Sequence, residues 1–89
     1  MPWNVTNRQM DPMRLTLDDG TVHNAQPGVA VAVNSGVRSI VYHNLQYLRN
    51  GLWPFPANQN VDATYGGAQN CYIRNPVNAV EAVYPYRAP

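Results

Sequence analysis

Residues 34–51, Asn34-Ser35-Gly36-Val37-Arg38-Ser39-Ile40-Val41-Tyr42-His43-Asn44-Leu45-Gln46-Tyr47-Leu48-Arg49-Asn50-Gly51, decide the fold class. Val37, Ile40, Val41, Leu45 and Leu48 recur at helical spacing, with Arg38, Tyr42, Gln46 and Arg49 opposite. Asn34 or Ser35 can cap such a helix, and Asn50-Gly51 followed by Pro54 can stop it. Strand alternation fails after Tyr42. The spacing therefore predicts a helix over 37–50. A hairpin competes with it: Asn34-Ser35-Gly36 can turn the chain with Gly36 left-handed and return Val37 to His43 as a strand.

Outward from this segment the chain reads as β. Met13, Leu15 and Leu17 alternate with Arg14 and Thr16, which places the apolar set on one face. Asp19-Gly20 predicts a type I′ turn, and Thr21-Val22 begin the return strand. Gln26-Pro27-Gly28 makes a second turn. Val29, Val31 and Val33 with Ala30 and Ala32 between them predict a central strand covered on both faces. Residues 51–60, GLWPFPANQN, form a proline-fixed, non-helical crossing. Asp62–Tyr65 and Asn70–Arg74 flank Gly66-Gly67 as a hairpin. A last strand is expected over Ala79–Tyr84.

These elements predict a small α+β domain dominated by antiparallel sheet. An all-β sandwich or barrel is the alternative. The expected organisation is an extended arm at 1–12, one β-rich domain at 13–84 and an extended tail at 85–89. An 89-residue chain has room for one domain with a thin core. Cys71 is the only cysteine, so no internal disulfide can staple it, and a partner subunit becomes the expected support.

Charge is sparse. Charged residues are 12% of the chain, against about 25% in ordinary soluble domains. Lysine is absent, and the cations are Arg8, Arg14, Arg38, Arg49, Arg74 and Arg87. Arginine and tyrosine are enriched in protein interfaces and lysine is depleted, because a guanidinium pairs and stacks at lower desolvation cost. Coding bias can also favour arginine over lysine, but it does not remove the acids. A net charge of +1 gives no long-range pull toward nucleic acid or an anionic membrane. No apolar run reaches the roughly 18 residues of a membrane span. The N-terminal residues lack the pattern of a secretory signal.

No stretch of the sequence spells a catalytic centre. Cys71, in Asn70-Cys71-Tyr72, reads as a small buried strand residue rather than a nucleophile. His23 and His43 are too far from it in sequence to form a short-spaced zinc motif. Asp18-Asp19 is explained by turn chemistry. Gly66-Gly67 is too short to cradle a phosphate. No cofactor or metal is expected, and the chain is not expected to be an enzyme. Arg74, Tyr84, Tyr86 and Arg87 could together stack single-stranded nucleic acid, which keeps a small nucleic-acid-binding module as the alternative function.

The arm poses an energetic question. Ordering twelve residues costs on the order of 10–20 kcal/mol. Burying Trp3 returns about 4–6 kcal/mol. Backbone hydrogen bonding must supply the rest, either on another subunit, which is the expectation, or within the chain's own sheet. The arm at 1–12, the hairpin around Asp19-Gly20 and the tail at 84–89 give a build that resembles the small decoration- or cement-type accessory proteins of tailed-phage virions. The resemblance implies a structural assembly subunit in a virion, made in the host cytoplasm, that binds other protein subunits in a homo- or hetero-oligomer. Outside a virion the expected location is cytoplasmic. Trp3, Trp53, Phe55, Tyr84, Tyr86 and Arg87 are the expected partner contacts.

Overall fold

Strand follows strand along the whole of the computed structural model, which describes residues 2–67 and 69–88, and no described residue is helical. The strands are β1 (Trp3–Asn7), β2 (Met13–Leu17), β3 (Val22–Ala25), β4 (Ala30–Val33), β5 (Val37–Tyr42), β6 (Leu45–Leu48), β7 (Asn60–Tyr65), β8 (Asn70–Arg74) and β9 (Val80–Pro85). They form two sheets, β4-β1-β7-β8-β9 and β3-β2-β5-β6. Both sheets face one buried cluster, which includes Val5, Val33, Val61, Ile73 and Tyr84 from the first and Met13, Leu15, Leu17, Ile40 and Tyr47 from the second. The architecture is an all-β sandwich, so the α+β expectation is corrected.

The predicted helix over 37–50 is the β5–β6 hairpin. A bulge interrupts the β2–β5 register between Thr16 and Leu17, where Leu17 faces Val37 and Thr16 faces Ser39. The inserted residue puts Val37 and Ile40, three positions apart, both into the core. That spacing imitates a helix. His43 and Asn44 then adopt positive φ, 51° and 63°, between the paired residues Tyr42 and Leu45. Two left-handed residues closing a two-residue loop are the type I′ geometry that suits the twist of a hairpin. The turn brings Tyr42 and Tyr47 to the buried side and leaves Leu45 40% exposed.

Three further expectations change. Asp19-Gly20 is not a type I′ turn: Gly20 alone has positive φ, and its N–H donates to Leu17 C=O while Leu17 N–H donates to Thr21 C=O. This is a tight turn closed by a glycine bulge. The Val29–Val33 strand is not central. β4 is an edge strand with Ala30 and Ala32 exposed and only Val33 fully buried. The N-terminal segment is not a free arm. β1 pairs antiparallel with β4 and parallel with β7, so its backbone bonds are satisfied within its own sheet. The other end also lies on its own chain: Tyr86 N–H donates to Gln69 C=O and Arg87 N–H to Gln46 C=O.

Asn7 fixes the corner between the sheets. It is fully buried, its Nδ2 donates to Asp11 C=O and Ala25 C=O, both at 2.9 Å, and its Oδ1 accepts Gln9 N–H at 2.8 Å. Every polar atom of the buried carboxamide therefore has a partner, as burial requires. On the opposite side the sheets are laced together by backbone contacts between Tyr47 and Tyr86 and between Asn50 and Val83.

Candidate functional site

The strand directions sort the loops into two ends of the sandwich. One end gathers the start of β1, the β2–β3 turn, the long β6–β7 loop and the β8–β9 turn. The proline-fixed loop folds back here under the start of β1. Trp3 Nε1–H donates to Pro56 C=O at 2.6 Å. The Trp3 and Trp53 rings meet edge-on at 6.0 Å, and Trp53 meets Phe55 at 4.8 Å. Phe55 is buried, while Trp3 and Trp53 are half-buried. Of the expected contact residues, the structure thus brings Trp3, Trp53 and Phe55 together.

Beside these rings lies an ionic knot that the sequence did not announce. The Arg49 side chain is only 10% exposed. Its guanidinium bonds both oxygens of Asp18, at 3.1 and 3.2 Å, and also donates to Val37 C=O and Gly51 C=O. Arg38 also pairs with Asp18 and donates to its carbonyl. The knot ties the β2–β3 turn, β5 and the end of β6. Asp19, its neighbour in sequence, does something separate: hydrogen bonds from Thr21 hold its carboxyl below the usual carboxylate range.

Two loops at this end hold apolar side chains in water by design of their backbone. Asn75 Oδ1 accepts the N–H groups of Val77 and Ala79, and Asn78 has a φ of 68°. This Asx-type turn leaves Val77 82% exposed. Gly51, with a φ of 92° and its carbonyl held by Arg49, leaves the next residue, Leu52, 90% exposed.

The other end carries a run of rings. His43 stacks on Tyr42 at 4.0 Å, Tyr42 meets Tyr65 at 5.0 Å, Tyr65 meets Tyr47 at 6.1 Å, and Tyr47 meets Tyr86 at 5.9 Å. His43 Nε2 lies 2.7 Å from Asp11 Oδ2, with both side chains more than half exposed. Tyr86 and Arg87 line an open groove of about 370 Å³ with Asn44, Leu45, Gln46 and Ala88. Tyr84 is elsewhere, fully buried, with its hydroxyl donating to Val37 C=O at 2.6 Å. Burial raises its pKa. Arg74 stands over Tyr72, 5.6 Å from the ring, at the far end of β8. The four residues that could have stacked nucleic acid are therefore not one surface.

Cys71 is fully buried, and burial pushes its thiol up to about 12, where thiolate is scarce at neutral pH. Among the described residues no three His, Cys, Asp or Glu side chains converge as metal ligands, and no helix is long and apolar enough to cross a membrane. Comparison with known proteins finds no matching family model, no matching curated protein and no matching solved structure.

Proposed function

We propose that this chain is a structural assembly subunit that binds neighbouring protein subunits, with a virus particle as its setting. One observation carries the reading: apolar side chains are held open to water on fixed turns. Leu52 and Val77 are 90% and 82% exposed at the end that also carries Trp3 and Trp53, and Met10 is 91% exposed at the other. A built loop that keeps an aliphatic side chain in water gains nothing for the isolated fold, whereas burial of such a group against a partner is favourable at roughly 25 cal/mol per Å².

Charge supports the same reading. Asp18 and Asp62 are engaged by arginines, and Asp11 by His43, within the chain. With charged residues at 12% of the chain, the surface has few ions to keep a lone molecule soluble. The virion setting rests only on the likeness of a short, β-rich, sparsely charged chain to phage accessory proteins; the two ends do not support it, because both lie on the chain's own sheets.

The test is a mass measurement of the particle purified from its native source, with the stoichiometry of this chain read by quantitative mass spectrometry. The expected result is a fixed number of copies in a larger complex. Replacing Leu52 and Val77 by Asp should reduce that occupancy without lowering the urea midpoint of the purified chain. Recovery of the chain as a free monomer would overturn the proposal.

A further inference from the structure

We propose that β4 is a self-pairing edge, through which a second copy of this chain continues the five-stranded sheet antiparallel across a two-fold axis. The inference deepens the assembly reading and rests on it, naming one partner by its chemistry.

The direction of the β4 backbone follows from the register. Asn4 N–H on β1 donates to Gln59 C=O, and Arg8 N–H, one residue past its end, donates to Ala63 C=O, so the backbone groups of the even-numbered residues of β1 point toward β7. Those of the odd-numbered ones, Trp3 and Val5, therefore point toward β4, where these residues face Val33 and Val31. Alternation along the strand turns the N–H and C=O of Ala30 and Ala32 away from β1. Both residues are exposed, and among the described residues no backbone hydrogen bond reaches them from outside β1. The two sheets are laced together at β6 and β9 but not paired between β3 and β4.

This edge is short, at four residues, but it lacks the other usual protections. Sheet edges are normally blunted by charge, by proline or by a bulge. Residues 29–33 read Val-Ala-Val-Ala-Val, and no charged residue occurs from Gly20 to Val37. The stretch is also a palindrome about Val31. A two-fold axis through Val31 sets Ala30 opposite Ala32 of the second copy, and Ala32 opposite its Ala30. These are the residues whose backbone groups point outward, so each pair can exchange both of its bonds. Val31 then faces Val31 in the closer, non-bonded position, where the half-buried side chain gains a cover. The same patch serves both copies, as an isologous interface requires.

The experiment is sedimentation of the full chain across a concentration series, with amide hydrogen exchange at both ends of the series. The expected result is a concentration-dependent dimer. Amides of Ala30 and Ala32 should be protected when concentrated and lose protection on dilution, while those of Val31 and Val33 stay protected throughout. Ala30→Pro removes an outward N–H, which an edge strand tolerates. Ala32→Lys places a cation on the exposed side of the strand. Each should weaken dimerisation by at least about tenfold with an unchanged urea midpoint, and Ala57→Lys, in the β6–β7 loop, should not. A wild-type chain that stays monomeric to about 1 mM, or a dimer indifferent to both variants, overturns self-pairing. If that monomer is nonetheless bound in the native particle, only the β4 inference fails. If it is free there too, the assembly reading fails with it.

Discussion

Arg49 and Asp18, 31 residues apart, meet through two hydrogen bonds at 3.1 and 3.2 Å, and this pair joins the β2–β3 turn to the end of β6. The guanidinium is nearly enclosed and also supports two carbonyls, so it acts as a keystone of one end of the sandwich.

Replacing Arg49 by Met should therefore leave Asp18 with Arg38 as its ionic partner, the Val37 carbonyl with the Tyr84 hydroxyl, and the Gly51 carbonyl without its arginine donor. The expected loss of stability is about 2–4 kcal/mol, toward the lower part of the range for breaking a buried ion pair because Asp18 remains partly in water. Urea unfolding measures it. A change below about 0.5 kcal/mol, the level of an ordinary surface substitution, would show that the knot is incidental.

Alkaline pH should destabilise the fold. Burial raises Cys71 to about 12, Tyr47 to about 12, and Tyr42 and Tyr84 in the same direction. The folded state thus holds protons that the unfolded chain releases, with ordinary values of 9.0 for the thiol and 10.0 for the phenols. Stability is fully present below pH 9 and falls as pH climbs through and beyond 10. Urea midpoints at a series of pH values should decline in that window. Native Cys71 should label with a thiol reagent only as fast as the protein opens.

Two glycines should respond differently to alanine. A Cβ on Gly36 would lie 2.7 Å from Cβ and Cγ of Trp53, atoms fixed close to that residue's backbone. Gly36→Ala should cost about 1–3 kcal/mol through overpacking. A Cβ on Gly66 would strike the ring of Tyr72, at 2.0 Å. That ring is half-buried on the outside of the sheet and can swing aside, so Gly66→Ala should cost less. Thermal unfolding of both variants reads the order.

The β5–β6 turn offers a direct test of hairpin against helix. Asn44→Val puts a β-branched residue at a φ of 63°, which should cost about 1–2 kcal/mol. In a helix the same change would cost only a few tenths of a kcal/mol. The urea midpoint distinguishes them.

Deleting residues 1–8 should abolish the fold rather than release a strap. β1 lies between β4 and β7, and its removal strands β4 and exposes the inner edge of β7. Circular dichroism and an NMR spectrum of the truncated chain would show loss of structure. A folded truncated chain would restore the arm reading.

Much was legible in the sequence where the pattern is local. Met13-Arg14-Leu15-Thr16-Leu17 alternates and is a strand, Gly66-Gly67 lies between paired strands, and the alternation also admits the all-β sandwich that the chain forms. Reading failed where a neighbouring strand sets the phase. Val37 and Ile40 look helical because a bulge against β2 adds a residue, and His43-Asn44 carries little turn signal beyond asparagine's tolerance of positive φ. The Trp53-Pro54-Phe55-Pro56 cluster was legible, but that Trp3 meets Trp53 and that Arg49 pairs with Asp18 was not, because contacts between residues so far apart in the chain have no local signature.

By itself the sequence determined what depends on composition and near neighbours: one small domain, a β-rich chain, a poorly charged surface and the absence of a disulfide. The tertiary structure alone decided which strands pair. That choice made the N-terminal segment an inner strand, put the Val29–Val33 palindrome on an edge and sent Tyr84 into the core. The physical reason is that strand pairing is non-local: each backbone bond is satisfied by a partner far along the chain, and only the closed set of pairings fixes which side of a strand is left free.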